Sequence, residues 1–230
     1  MRETGIKASL VRALVPCVVI LRLGLPVLAR TRAIMGRITD FKLTQQDGDV
    51  GPAIEVLRSE EGEKMEVLRS LVLQWLRGAV WHTTSSERFQ GILRAAAILP
   101  EPEIPDSERW STSQGPKSYP YVRSLGGISL FDFREFDPEQ YSKDCWLSSW
   151  EEFVPYRPKW KEALWIEIAI EKLGDSFVSG SDLLARWKAD EVGNRIMPKI
   201  EAAYFGPLPC AALKSAFRVC EGSPSLSAIQ

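Results

Sequence analysis

Between Ala163 and Ile170 the side chains alternate, with Leu164, Ile166, Ile168 and Ile170 set against Trp165, Glu167 and Ala169. A period of two marks an extended strand, because successive side chains there point to opposite faces. Ala79 to Thr83, apolar and β-prone, reads as a second strand, ending at His82. Thr84 and Glu87 then have the spacing of a capping box, and Phe89, Ile92, Leu93 and Ala96 form the apolar face of the helix they would start. Further strands are expected over Gly126–Phe133 and Met197–Phe205. A helical pattern spans Pro52 to Arg77, where Met65, Leu68, Val72, Trp75 and Leu76 recur at three- and four-residue intervals ahead of Gly78, a C-cap candidate. A short helix with Leu183, Leu184 and Trp187 can be capped by Ser181 or Ser179. Helices and strands mix without βαβ regularity, so the fold class is α+β rather than a doubly wound sheet.

The connections carry information of their own. Residues 100–120 hold five prolines and form a long surface loop, a length often given to lids or binding loops. Residues 145–160 are aromatic and irregular, and the tryptophans from 146 to 165 read as packing, with stacking on a base as the alternative. An apolar stretch follows at 211–219, and residues 221–230 are Ser-rich and read as a loose tail.

Residues 1–34 differ from the rest. Lys7 and Arg12 precede an apolar run, 13–29, that Arg22, Pro16 and Pro26 interrupt. A membrane helix needs about 18 or more apolar residues, and a charge at its centre costs roughly 2.5–3.5 kcal/mol, so no stable membrane insertion is expected. This leader is a spurious extension ahead of a start at Met35, a disordered segment, a secretory signal cut near Ala29, or a genuine helix. The domain reading is therefore a leader at 1–34, an N-terminal helical segment at 35–78, a main domain at 79–220 and the tail at 221–230. The balance of 29 Lys+Arg against 30 Asp+Glu excludes a histone-like basic binder, while a local basic groove stays open. Four cysteines without a CxxC pair, and a single histidine, allow no zinc-finger spacing, and no metal site is expected. Reduced thiols point to a cytoplasmic location, or a secreted one if the leader is a signal.

A strand ending at His82, then Thr83-Thr84 and a helix with Phe89 and Ile92-Leu93, resembles the opening of the ADP-ribosyltransferase superfamily. Members place a His or Arg on a first strand, a Tyr or Ser on a second and a Glu near the end. Ile128-Ser129-Leu130 is similar to the second position and Lys199-Ile200-Glu201-Ala202 to the third, so the resemblance covers about residues 80–209. It implies a split β-sheet core with peripheral helices, NAD as a substrate, and transfer of ADP-ribose to a macromolecular acceptor, protein or nucleic acid. His82, Ser129 and Glu201 would be catalytic. His82, Thr83, Thr84, Ser129, Tyr119 and Tyr121 would contact NAD, Tyr204 being a further candidate ring. Thr83 stands where many His-bearing relatives have Gly, and Ser129 cannot stack on nicotinamide as a Tyr would. Two other readings accompany this one: a non-catalytic interaction module on the same fold, and an NAD-dependent RNA 2′-phosphotransferase-like enzyme, whose family relies on several basic side chains.

Each residue also has a plainer reading. A lone His at a strand end can be a structural hydrogen-bonder, Ser129 a small strand residue, and Glu201 a solvent-facing carboxylate. Asp132 and Glu167 could be ligands of a nuclease metal, but no Lys lies two residues after Glu167.

Overall fold

The alternating run is strand β4 (Glu162–Ile168) in a computed structural model that describes residues 51–112, 114–221 and 223–228. The leader at 1–34 and the segment 35–50 lie outside the described residues. In chain order the elements are α1 (Gly51–Leu76), β1 (Val80–Thr84), α2 (Ser86–Ala95), β2 (Ala97–Ile98), α3 (Tyr121–Ser124), β3 (Gly127–Asp132) and α4 (Pro138–Asp144). After β4 come β5 (Phe177–Val178), α5 (Gly180–Asp190), β6 (Glu201–Phe205), β7 (Leu208–Pro209), β8 (Leu213–Cys220) and β9 (Ser223–Ala228). Seven strands make one sheet of order β5-β6-β3-β1-β4-β8-β9, while β2 and β7 pair apart from it. Every pairing is antiparallel, and the class is α+β.

Strand alternation gives this sheet two apolar faces. Trp81, Phe131, Phe133, Trp165, Phe217 and Val219 belong to one core; Val80, Ile128, Leu130, Leu164, Ile166 and Ala202 belong to the other. The helical periodicity at 52–77 is α1, and it covers the first face: Val72, Leu73 and Leu76 are buried, with Met65, Leu68 and Trp75 packed beside them. Full burial of a Val or Leu contributes about 1.5–3 kcal/mol. Trp81 Nε1 also donates to the Leu76 carbonyl at 2.8 Å, tying the helix end to β1.

Several expectations need correction. The cap of α2 is Ser85, whose Oγ accepts from Arg88 N at 3.3 Å. Thr84 is instead the last residue of β1, paired with Leu164 and buried. Glu162 supplies the carboxylate, accepting from Ser86 N at 2.8 Å and Ser86 Oγ at 3.0 Å. Leu93, placed on the apolar face, is 49% exposed, and Ala96 is the left-handed C-cap. Ser179, not Ser181, caps α5. The strand expected from Met197 begins only at Glu201, because Ile200 N donates to the Pro198 carbonyl at 2.8 Å in a tight turn and Lys199 has φ 64°. The tail read as loose contains β9, hydrogen-bonded along β8.

Two features position the candidate site. The proline-rich loop is braced rather than free: Arg123 pairs with Asp106 at 2.8 Å and Arg109 with Glu101 at 2.8 Å. Second, β1 and β3 are joined at only two positions, Val80↔Asp132 and Trp81↔Phe131, while β1 pairs with β4 at five. The sheet therefore divides at His82 into a β5-β6-β3 half and a β1-β4-β8-β9 half. Among the described residues, no helix is long and apolar enough to cross a membrane.

Candidate functional site

His82 and Glu201 reach Ser129 from opposite faces of the sheet, where β1 and β3 stop pairing. β3 and β6 pair Ser129 with Ala203 and Phe131 with Glu201, which puts Ser129 and Glu201 on one face as diagonal neighbours. Ser129 Oγ donates to Glu201 Oε1 at 2.8 Å. The second carboxylate oxygen accepts from the backbone N of Met197 at 3.0 Å, and Glu201 N donates back to the Met197 carbonyl at 2.9 Å. His82 alternates onto the opposite face, with Val80 and Thr84. Its Nδ1 donates to the Ser129 carbonyl at 3.3 Å, just past the last β1–β3 pair. Ser129 is thus the hub: its side chain holds the carboxylate and its backbone holds the imidazole.

Both titratable groups sit in low-dielectric surroundings, and they shift in opposite directions. Burial pushes Glu201 up to about 7, against the pull of Met197 N–H and Ser129. Burial pushes His82 down to about 4, against the Ser129 carbonyl, which favours the protonated ring. A neutral imidazole and a half-ionised carboxyl at neutral pH are the outcome. Glu201 is only 1% exposed, so the plain reading of a solvent-facing carboxylate does not hold.

The remaining candidates are placed as follows. Thr83 lies two residues past the last pair on β1, as Ser129 does on β3, and its Oγ1 is buried with no hydrogen-bond partner. Thr84 is buried beneath the start of α2. Tyr121 is enclosed in a cluster with Val122, Leu183 and Ala203, and its hydroxyl donates to Asp190. The Tyr119 hydroxyl donates to Asp106, and the Arg123 guanidinium covers its ring, 3.8 Å from the centroid. The Tyr121 ring is thus buried, and one face of the Tyr119 ring is taken by Arg123. Tyr204 sits on the other face of β6, packed against the second core.

Sequence reasoning named Asp132 only as a possible metal ligand and missed it as a buried anchor at the end of β3. Asp132 is 8% exposed, takes a two-pronged ion pair from Arg134 at 2.8 and 2.7 Å, and accepts from Gly180 N at 3.2 Å. Arg134 sits in the turn that follows β3, its backbone N–H donating to Asp132 Oδ1 at 3.4 Å, and an Asp two residues ahead of a basic residue at a strand end was the available signal. Glu167 is taken by Lys214 at 2.6 Å and Ser215 at 2.7 Å. Two cavities, of about 530 and 460 Å3, open elsewhere; neither is lined by His82, Ser129 or Glu201. No protein-family model matches the chain, and no curated protein or solved structure matches it either.

Proposed function

We propose that this chain binds NAD and transfers ADP-ribose to a macromolecular acceptor, on an ADP-ribosyltransferase-like split sheet. The observation that carries this reading is the linkage of His82 and Glu201, 47 and 72 residues from Ser129 in sequence, to that one residue by two hydrogen bonds made from opposite faces of the sheet. The two-position join between β1 and β3 supports the split-sheet part of it. Titratable groups whose pKa values are strongly shifted by burial, as both are, are also a common mark of functional sites. The unpartnered Thr83 Oγ1 fits a polar atom of a bound dinucleotide beside Ser129. Tyr121 has no part in the reading, because its ring is buried and its hydroxyl donates to Asp190.

The chemistry then runs as follows. The bond between ribose C1′ and nicotinamide breaks, and its electron pair returns to the pyridinium nitrogen, which leaves neutral. The acceptor's nucleophile adds to C1′ and gives up its proton to Glu201. A carboxylate near the oxocarbenium-like ribose stabilises the developing positive charge. A pKa of about 7 suits a proton acceptor working near neutrality. Glu201 reaches the substrate on this reading only when the Met197 N–H releases it.

A second reading, a non-catalytic interaction module, is favoured by one observation: both Glu201 oxygens are already bound and the group is enclosed. Nicotinamide release from NAD distinguishes the two. The first reading expects release by the wild type and a loss of about 100-fold or more in Glu201→Gln. Neither release nor NAD binding by the wild type establishes the second.

A further inference from the structure

The hairpin that leads into β4 carries the sequence Arg157-Pro158-Lys159-Trp160-Lys161, with three cations around one indole. The turn is tightly built. Trp160 N donates to the Arg157 carbonyl at 2.9 Å, Lys161 takes φ 55°, and Arg157 bridges to Glu162. The Arg157 guanidinium lies 4.8 Å from the Trp160 ring centroid and 5.6 Å from that of Phe153. From α2, the Arg88 guanidinium reaches the same Trp160 ring at 5.2 Å. Arg88 also pairs with Glu108 at 3.2 Å, whereas Arg157 and Lys159 make no ion pair among the described residues. Burial, and after it the neighbouring Arg88 charge, hold the Arg157 guanidinium below the usual arginine range against a smaller opposing pull from Glu152.

A cavity of about 460 Å3 opens beside this stack, lined by Arg88, Lys159, Trp160 and Ser85. Glu108 and Glu162 line it too, but Glu108 is held by Arg88, and Glu162 by Ser86 and Arg218; Glu87 is exposed at its rim. The volume falls within the range of about 300–1,000 Å3 typical of ligand sites. Ser85 follows His82 by three residues, a separation of ~10 Å along an extended chain.

We propose that this surface binds single-stranded nucleic acid, with a base stacked onto the Trp160–guanidinium assembly and its phosphates on Arg157, Lys159 and Arg88. Stacking on an aromatic ring or a guanidinium plane and pairing with phosphate together define single-strand recognition. A braced indole with an arginine against it that makes no ion pair among the described residues offers both in one place. As the acceptor of the transfer, the strand rests on the reading of the previous subsection; its binding does not.

The test is fluorescence anisotropy of a labelled twelve-nucleotide single strand without NAD. Wild-type protein binds, and Trp160→Ala weakens binding about tenfold or more. Arg157→Gln and the exposed Lys159→Gln each weaken it and lower the slope of log K against log salt by about 0.7. Lys159→Gln removes no buried contact, so it covers the case in which Arg157→Gln unfolds the turn. No binding by the wild type, or equal binding by Trp160→Ala and Lys159→Gln, overturns the proposal. So does displacement of the strand by free mononucleotide at the strand's own Kd, which would make this a site for free nucleotides. A strand that binds a protein unable to release nicotinamide refutes the transferase reading and leaves this one standing.

Discussion

The Glu201 carboxylate has two donors, Ser129 Oγ and Met197 N, and no water to replace either, since the residue is enclosed. Ser129→Ala strands one buried oxygen, and such a loss costs about 1–3 kcal/mol. The cost is larger at pH 8, where Glu201 is mostly ionised, than at pH 5.5, where it is mostly protonated, because a charged acceptor loses more. Urea denaturation at the two pH values measures that difference. Gly180 is a second residue without slack. A Cβ built there falls 1.7 Å from the Lys199 carbonyl oxygen, so the start of α5 touches the turn that delivers Glu201. Gly180→Ala forces the two apart and is expected to cost about 1–3 kcal/mol, read as a lowered Tm. Neither residue's partner could be read from sequence. Ser129 and Glu201 could be named as a pair, but Met197 as a donor and Lys199 as a wall come from a turn whose shape depends on Pro198 and a left-handed Lys199.

At the scale of elements, periodicity was the reliable guide and termini were not. The alternation at 163–170 and the helical spacing at 52–77 correspond to β4 and α1, each backed by residues that are buried together. The start of α2 was ambiguous because Thr83-Thr84-Ser85-Ser86 offers four hydroxyls, and the choice is made by Leu164 pairing with Thr84 from across the sheet. Ser85→Ala is accordingly expected to cost about 1 kcal/mol as a lost cap. The serine-rich tail gave no apolar pattern, yet β9 forms because the edge of β8 offers backbone partners that side-chain composition does not report. The boundary drawn at residue 79 cuts through a packed core, since Val72, Leu73 and Leu76 cover Trp81 and its neighbours. A chain beginning at residue 79 is therefore expected to lose cooperative thermal unfolding, whereas one beginning at residue 51 keeps it; calorimetry separates the two.

Across the whole molecule, half-buried His82 and buried Glu201 oppose each other. The His82 pKa of about 4 lies below the ordinary 6.5, so between those values the unfolded chain binds the extra proton and stability rises with pH. Glu201, near 7 against an ordinary 4.5, binds the extra proton when folded, so stability falls as pH rises through that window. Each effect is on the order of 3 kcal/mol, and between about pH 4.5 and 6.5 they nearly cancel. Removing one group exposes the other. Glu201→Gln is expected to gain stability from pH 4.5 to 6.5, and His82→Asn to lose it over the same range, by denaturant titration at matched ionic strength. Sequence order pointed to these residues as a set. It could not show that His82 and Glu201 project from opposite faces, because that follows from where β1 and β3 stop pairing.

That early parting shapes how the whole sheet answers load. With a two-rung join flanked by five-rung ladders, the line beside His82 is the first place the fold yields when its halves are pulled apart. The imidazole bridging to the Ser129 carbonyl acts there as a latch made of one replaceable side chain.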